Sequence, residues 1–268
     1  MSSPPRRRKR IGLIGFGFIG REVYRRLLAD PALEPAFVHN RSGDALADVP
    51  ASLRLPDLAQ AARCGADLVV EMAHPSFTRE YGALLLRHSD YLPLSVTALA
   101  DDALRERLLE SAQVHGTRLL VPHGALMGAD NLAESQWQSV SITFWKNPAH
   151  IDFSESGFDA ASIRQETLVY DGPVRGIAAL YPRNVNTMVT CALATIGLDA
   201  CHARLVAVPG YDRGRIRIEA RGAGGALLVM DKEQPMAGVS GTEMIDSQWH
   251  SIRRAAGAAG TAGAAEFV

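Results

Sequence analysis

The sequence predicts an α/β protein: a parallel sheet in the N-terminal half and a second α+β domain behind it. Three observations lead there. Short apolar runs alternate with helical stretches between Ile11 and Pro122. A glycine cluster joins the first apolar run to the first helical stretch. Beyond Gly128 the alternation stops, and strand-like segments outnumber helices.

The first element is the run Ile11-Gly12-Leu13-Ile14, and the glycine cluster follows it. Gly15, Gly17 and Gly20 fit G-x-G-x-x-G, with Phe18 and Ile19 between the last two. The first glycine permits the tight turn out of the strand. The second lets backbone approach a pyrophosphate, and the third lets helix pack closely on strand. The helix that follows carries Val23, Leu27 and Leu28 at helical spacing, and its N-terminus suits an anionic group. This context predicts a Rossmann-like dinucleotide site at Gly15, Gly17, Phe18, Ile19 and Gly20. The alternative is an ordinary strand-turn-helix without a ligand.

The second strand is expected near Pro35–Val38, ending in His39-Asn40-Arg41-Ser42. An acidic residue at this place would bind the ribose 2′-hydroxyl of NAD, whereas an arginine accepts the 2′-phosphate of NADP. No Asp or Glu stands at the strand end and Arg41 does, so NADP is favoured over NAD. A short helix follows at Leu58–Arg63. The apolar run Ala66–Ala73 reads as a buried parallel strand that ends in His74-Pro75-Ser76. Ligands of open α/β sheets bind beyond the carboxyl ends of strands, which makes His74 a candidate for the chemistry. Further elements are expected at Thr78–Arg87 (helix), Tyr91–Val96 (strand), Asp101–His115 (helix) and Arg118–Pro122 (strand). His123 and Ala125 lie at the end of that last strand.

In the second half, Val140–Trp145, Leu205–Val208, Arg215–Arg221 and Ala226–Met230 read as strands of an antiparallel sheet, and Thr187–Ile196 as an apolar helix. A final helix, 242–256, is expected to pack back on the first domain. The domain expectation is therefore 10–123 for dinucleotide binding, completed by 242–256, and 124–241 for substrate and dimerisation. Residues 1–9 and 257–268 are expected to be disordered.

Composition narrows the function. The 268 residues are 47% apolar and 21% charged, with a formal net charge of -1. That near-neutral balance argues against a nucleic-acid binder, and the basic run Arg6–Arg10 is short enough to be a solvated lead-in. No run is long enough to span a membrane, and no secretory core opens the sequence. Cys64, Cys191 and Cys201 show no metal or Cys-x-x-Cys spacing. They predict reduced thiols in a cytoplasmic protein. No His/Cys/Asp cluster has ligand spacing, so no metal is expected.

The segments Gly15–Gly20, Leu68–Ala73, Ser95–Asp102, Pro122–Gly128 and Tyr181–Asn186 together resemble the L-aspartate dehydrogenase family, over about residues 10 to 222. The resemblance implies NAD(P)-dependent oxidative deamination of L-aspartate, through iminoaspartate, to oxaloacetate and ammonia, or the reverse. It also implies a homodimer, a small amino-acid substrate, and cofactor contacts at Ala125 and Asn186.

One departure bears on the chemistry. The family's Arg-Asn-x-His-x-Ile segment, whose histidine serves as acid–base group, falls on Arg213–Ile218. Gly214 stands at the asparagine position and Ile216 at the histidine position. An isoleucine cannot carry a proton. His123 is the first replacement candidate and His74 the second. Lys146 and Arg183 are candidates for binding a carboxylate, with a surface or interface role as the alternative for both. The loss of the histidine keeps two other functions open: an NADP(H)-binding regulatory protein, and a reductase of another small imine or keto acid.

Overall fold

The computed structural model describes residues 7–237, 240–241 and 243–258. The chain divides into two compact units. One holds the residues up to Ser95, Asp102–Pro122 and those from Ile245. The other holds Val96–Asp101 and His123–Met244. The segment 96–101, which the sequence reading assigns to the first domain, thus lies in the second unit.

In the first unit, β1 (Lys9–Ile14), α1 (Phe18–Ala29), β2 (Leu33–His39), β3 (Leu68–Glu71), α2 (Pro75–Leu85), β4 (Asp90–Pro93) and α3 (Asp102–His115) follow one another. The four strands form a parallel sheet in the order β2-β1-β3-β4. β3 is buried along its whole length, as a parallel strand covered on both faces should be. Helix α1 buries Val23 and Leu27 against the sheet, while Glu22 pairs on the outer side with Arg25 and Arg26.

Several expectations need correction here. The strand at Arg118–Pro122 reduces to a single bridge between Leu119 and Tyr91. That segment lies at the sheet edge, its leucines are only half-buried, and Pro122 has no N–H to extend the ladder. Residues 7–9 are ordered: Arg7 pairs with Asp67, and Lys9 opens β1. Residues 1–6 and 259–268 lie outside the described residues.

The second unit holds α4 (Ala129–Glu134), β5 (Trp137–Lys146), β6 (Thr167–Pro173), α5 (Val174–Leu180), α6 (Asn186–Ala194), β7 (His202–Ala207), β8 (Arg213–Gly222), β9 (Leu227–Ala237) and β10 (Ser240–Gly241). Its six-stranded sheet has the order β10-β9-β8-β5-β7-β6. It is mixed rather than antiparallel, because β5 and β7 run parallel. A parallel pair needs a long crossover, and α5 and α6 supply it. β6 and α5 were not expected from the sequence, since glycine interrupts both patterns and Pro173 ends β6. On β5 and β8 burial alternates strictly: Val140, Ile142, Phe144 and Lys146 face inward from one, and Gly214, Ile216, Ile218 and Ala220 from the other. Helix α6 covers this inner side and is itself almost wholly buried.

The last helix, α7 (Met244–Ala255), starts two residues later than expected; Thr242 lies outside the described residues. Ile252 is fully buried in one cluster with Leu13, Val23 and Leu27. Arg26 binds Asp246, and Arg253 binds Asp30. Among the described residues no helix is long and apolar enough to cross a membrane. Ile252→Ala should therefore cost about 2–5 kcal/mol of stability, read from the denaturation midpoint at unchanged slope.

Candidate functional site

The glycine loop fits a dinucleotide. Gly15 adopts φ +95°, a conformation that side-chain-bearing residues rarely adopt. A Cβ on Gly20 would stand 2.2 Å from the Gly15 carbonyl oxygen, so only glycine lets α1 start this close to the strand. A Cβ on Gly17 would meet nothing within 4 Å, so the loop is open to a ligand there. No side chain caps the N-terminus of α1, whose first-turn N–H groups remain available to phosphate. Phe18 is exposed in that first turn, and Ile19 packs on the core. Asn40 accepts a hydrogen bond from the Phe16 N–H at 3.0 Å and donates to the Ser42 carbonyl, which fixes the end of β2. Arg41 is exposed beside it.

Glu71 is a buried carboxyl at the strand ends that the sequence reading did not single out. It ends β3 and is fully buried. Its carboxylate accepts hydrogen bonds from Ala73 N (2.7 Å), Ser95 N (3.2 Å) and Ser95 Oγ (3.0 Å). It thereby ties together the carboxyl ends of β3 and β4, where ligands of such sheets bind. Burial pushes its carboxyl up to about 7 despite these bonds. A Glu closing an otherwise apolar run was the available signal. His74 is the N-cap of α2, its Nδ1 accepting from the Ser76 N–H at 3.2 Å, which gives this histidine a local structural task.

The second unit holds a pocket of its own. Ala125, Phe144, Lys146, Asn186 and Ile216 line it, and Arg183 stands at its wall. The resemblance singles out three of these positions (Ala125, Asn186 and Ile216), and the structure brings them together. His123 does not line this pocket; it is half-buried, with Nδ1 3.1 Å from the Gly124 carbonyl. The pocket wall carries Lys146, Arg183 and Arg215 and, among the described residues, no acidic one. Arg215 is held by Asp231 and lies over the Trp145 ring, and Arg183 is paired with Asp152, so among the described residues Lys146 is the pocket cation that no carboxylate holds.

Asn186 opens α6, and its Oδ1 accepts from the Thr97 N–H at 3.1 Å. That bond fixes the amide so that its NH2 is the end offered as donor. Asn184 is buried and fully used: Oδ1 accepts from Asp152 N, Nδ2 donates to the His150 carbonyl, and its own carbonyl accepts from Lys146 Nζ at 3.3 Å. Arg183 is exposed and pairs through Nη1 with Asp152 at 3.0 Å.

Lys146 corrects the surface alternative. It is 8% exposed. Apart from the Asn184 carbonyl, its ammonium meets the Phe144 ring, 5.2 Å from the centroid. Among the described residues no carboxylate pairs with it. Desolvation lowers its amine to about 8. The signal was present: the alternation Val140, Ile142, Phe144 continues by two to Lys146.

Relatives show what kind of protein this architecture belongs to. Over 217 residues the chain is 39% identical to an aspartate dehydrogenase domain-containing protein of Xenopus tropicalis, covering 76% of both. It is 31% identical to an L-aspartate dehydrogenase of Serratia proteamaculans over 241 residues, 85% of this chain and 89% of the relative. The chain belongs to the L-aspartate dehydrogenase family. Two family models match this family member: the aspartate dehydrogenase C-terminal region at residues 129–245, and the homoserine dehydrogenase NAD-binding domain at residues 15–122. Its fold matches the crystal structure of aspartate dehydrogenase from Thermotoga maritima at 25% identity and a TM-score of 0.70, covering 92% of this chain and 96% of that one. It is thus an oxidoreductase built for a nicotinamide cofactor.

The buried amine makes a stability prediction. The unfolded chain holds the Lys146 proton up to about 10.5, the folded chain only to about 8. Wild-type stability should rise across that window as the unfolded state loses its proton advantage. Lys146→Met should be more stable than wild type at pH 7, by up to about 3 kcal/mol, with the gain fading toward pH 10.5 in urea titrations.

Proposed function

We propose that the chain catalyses NAD(P)-dependent oxidative deamination of L-aspartate, or its reverse. The observation that carries this reading is the cationic pocket, which among the described residues has no acidic side chain and so suits a dicarboxylate. In this reading the first unit, completed by α7, holds the dinucleotide through Gly15, Gly17, Phe18, Ile19 and Gly20. The second unit takes the amino acid. Bound nicotinamide supplies the acceptor for the hydride that leaves the substrate α-carbon.

The chain's own groups have distinct tasks. Asn186 donates from its amide to a carbonyl, because its oxygen is already engaged by Thr97. Ala125, 9% exposed, presents backbone without bulk. Arg183 has one nitrogen on Asp152 and can turn the rest of its fork to a carboxylate. Arg41 is exposed at the end of β2 and favours NADP over NAD. His123 and His74 remain proton-transfer candidates of lower rank, since one lies off the pocket lining and the other caps a helix. We infer a cytoplasmic homodimer from the family and the free cysteines.

A second reading rests on Ile216, whose buried side chain lines the pocket where the family carries its acid–base histidine. On that reading the protein binds the nucleotide and regulates without turnover.

Reduced-cofactor oxidation with oxaloacetate and ammonium separates the two. Steady turnover supports the enzyme. Tight NADPH binding by fluorescence without turnover supports the regulatory reading. Arg41→Ala should weaken NADPH several-fold more than NADH; equal weakening would remove Arg41 from cofactor choice.

A further inference from the structure

Ile216 brings no titratable group to the pocket, yet Lys146 beside it does. Ile216 on β8 stands opposite Phe144 on β5 in the antiparallel register. Lys146 follows Phe144 by two residues on the same inward face, so it is the diagonal neighbour of Ile216. Gly214 adjoins it on β8, and Met236 fills the space that a side chain at Gly214 would take. Resting on the aspartate dehydrogenase reading, we propose that Lys146, the buried amine of this pocket, is the catalytic base that accepts a proton from the substrate ammonium.

The surroundings fit a base. A lysine paired with a carboxylate stays charged, and among the described residues Lys146 has no such partner. The Asn184 carbonyl and the Phe144 ring favour the ammonium form. Loss of water opposes them and prevails, so a neutral amine is reached near physiological pH. The charged groups around it do not restore the proton. From β8 the inward residues Gly214, Ile216 and Ile218 carry no charge, and Arg215, which also lines the pocket, is paired with Asp231. From β9 come neutral Gln234 and Lys232, the latter neutralised by Glu243. From the segment before α6 comes Arg183, paired with Asp152.

The step balances. The substrate N–H bond breaks, its proton moves to Nζ, and the electron pair stays on nitrogen. That pair forms the C=N bond as the α-hydrogen departs with two electrons to the oxidised nicotinamide dinucleotide. Substrate loses two electrons, the cofactor gains them, and Lys146 ends as ammonium and returns its proton to solvent.

The test is the pH profile of aspartate oxidation by the full chain, wild type against Lys146→Met, Lys146→Arg and His123→Gln. Wild-type kcat/KM should rise tenfold per pH unit up to about 8 and then level. Lys146→Met should lose that limb and fall roughly 10²–10⁴-fold. Lys146→Arg keeps the charge but not the proton acceptor, so kcat should fall similarly at nearly unchanged KM. If Lys146→Arg keeps kcat while Lys146→Met raises only KM, Lys146 binds a carboxylate and the proposal is overturned. Loss of the limb in His123→Gln alone would also overturn it. Without cofactor, one lysine ε-methylene signal should titrate near pH 8 and vanish in Lys146→Met. A lysine that titrates only near 10.5 contradicts the assignment even if turnover is found. Absence of turnover under both cofactors defeats the dehydrogenase reading instead.

Discussion

The period-two pleat of β5 and β8 is the constraint on which the second unit depends. It sends Val140, Ile142, Phe144 and Lys146 to one side, together with Gly214, Ile216 and Ile218. A single-residue slip would turn all of them outward. The same register that buries the apolar residues therefore carries an amine into the interior. Nothing apolar is gained by burying Nζ, and the cost is visible in the lowered proton affinity of Lys146. Perturbed titratable groups of this kind cluster at functional sites.

The first unit solves a separate problem. Its three glycines shape the loop after β1 by distinct means: a positive φ at Gly15, open space at Gly17, and close packing at Gly20. Glu71 then fixes the neighbouring strand ends by accepting bonds from the chain after β3 and after β4. A buried carboxylate in this role is costly, and its raised proton affinity records that cost.

Much of this architecture was legible from the residues. The glycine loop and the buried β3 both follow from spacing and apolar runs. The strand at Arg118–Pro122 was not, because propensity cannot tell an edge segment from a paired strand. The parallel pairing of β5 with β7 was missed for a related reason: it depends on where α5 and α6 send the chain, and α5 has a glycine-interrupted pattern. At the site, Ala125 and Asn186 were found by resemblance. Lys146 was named but left with a surface alternative, since the expected strand stopped one residue short of it. His74 was singled out by its position at a strand end, and the Pro75-Ser76 that follow it also make it a helix cap.

The most direct measurement follows the α-hydrogen. With L-[2-²H]aspartate and oxidised cofactor, the account predicts deuterium on the reduced nicotinamide and a slowed rate. Cofactor that is reduced without deuterium, or deuterium that appears only in water, would contradict oxidation at the α-carbon.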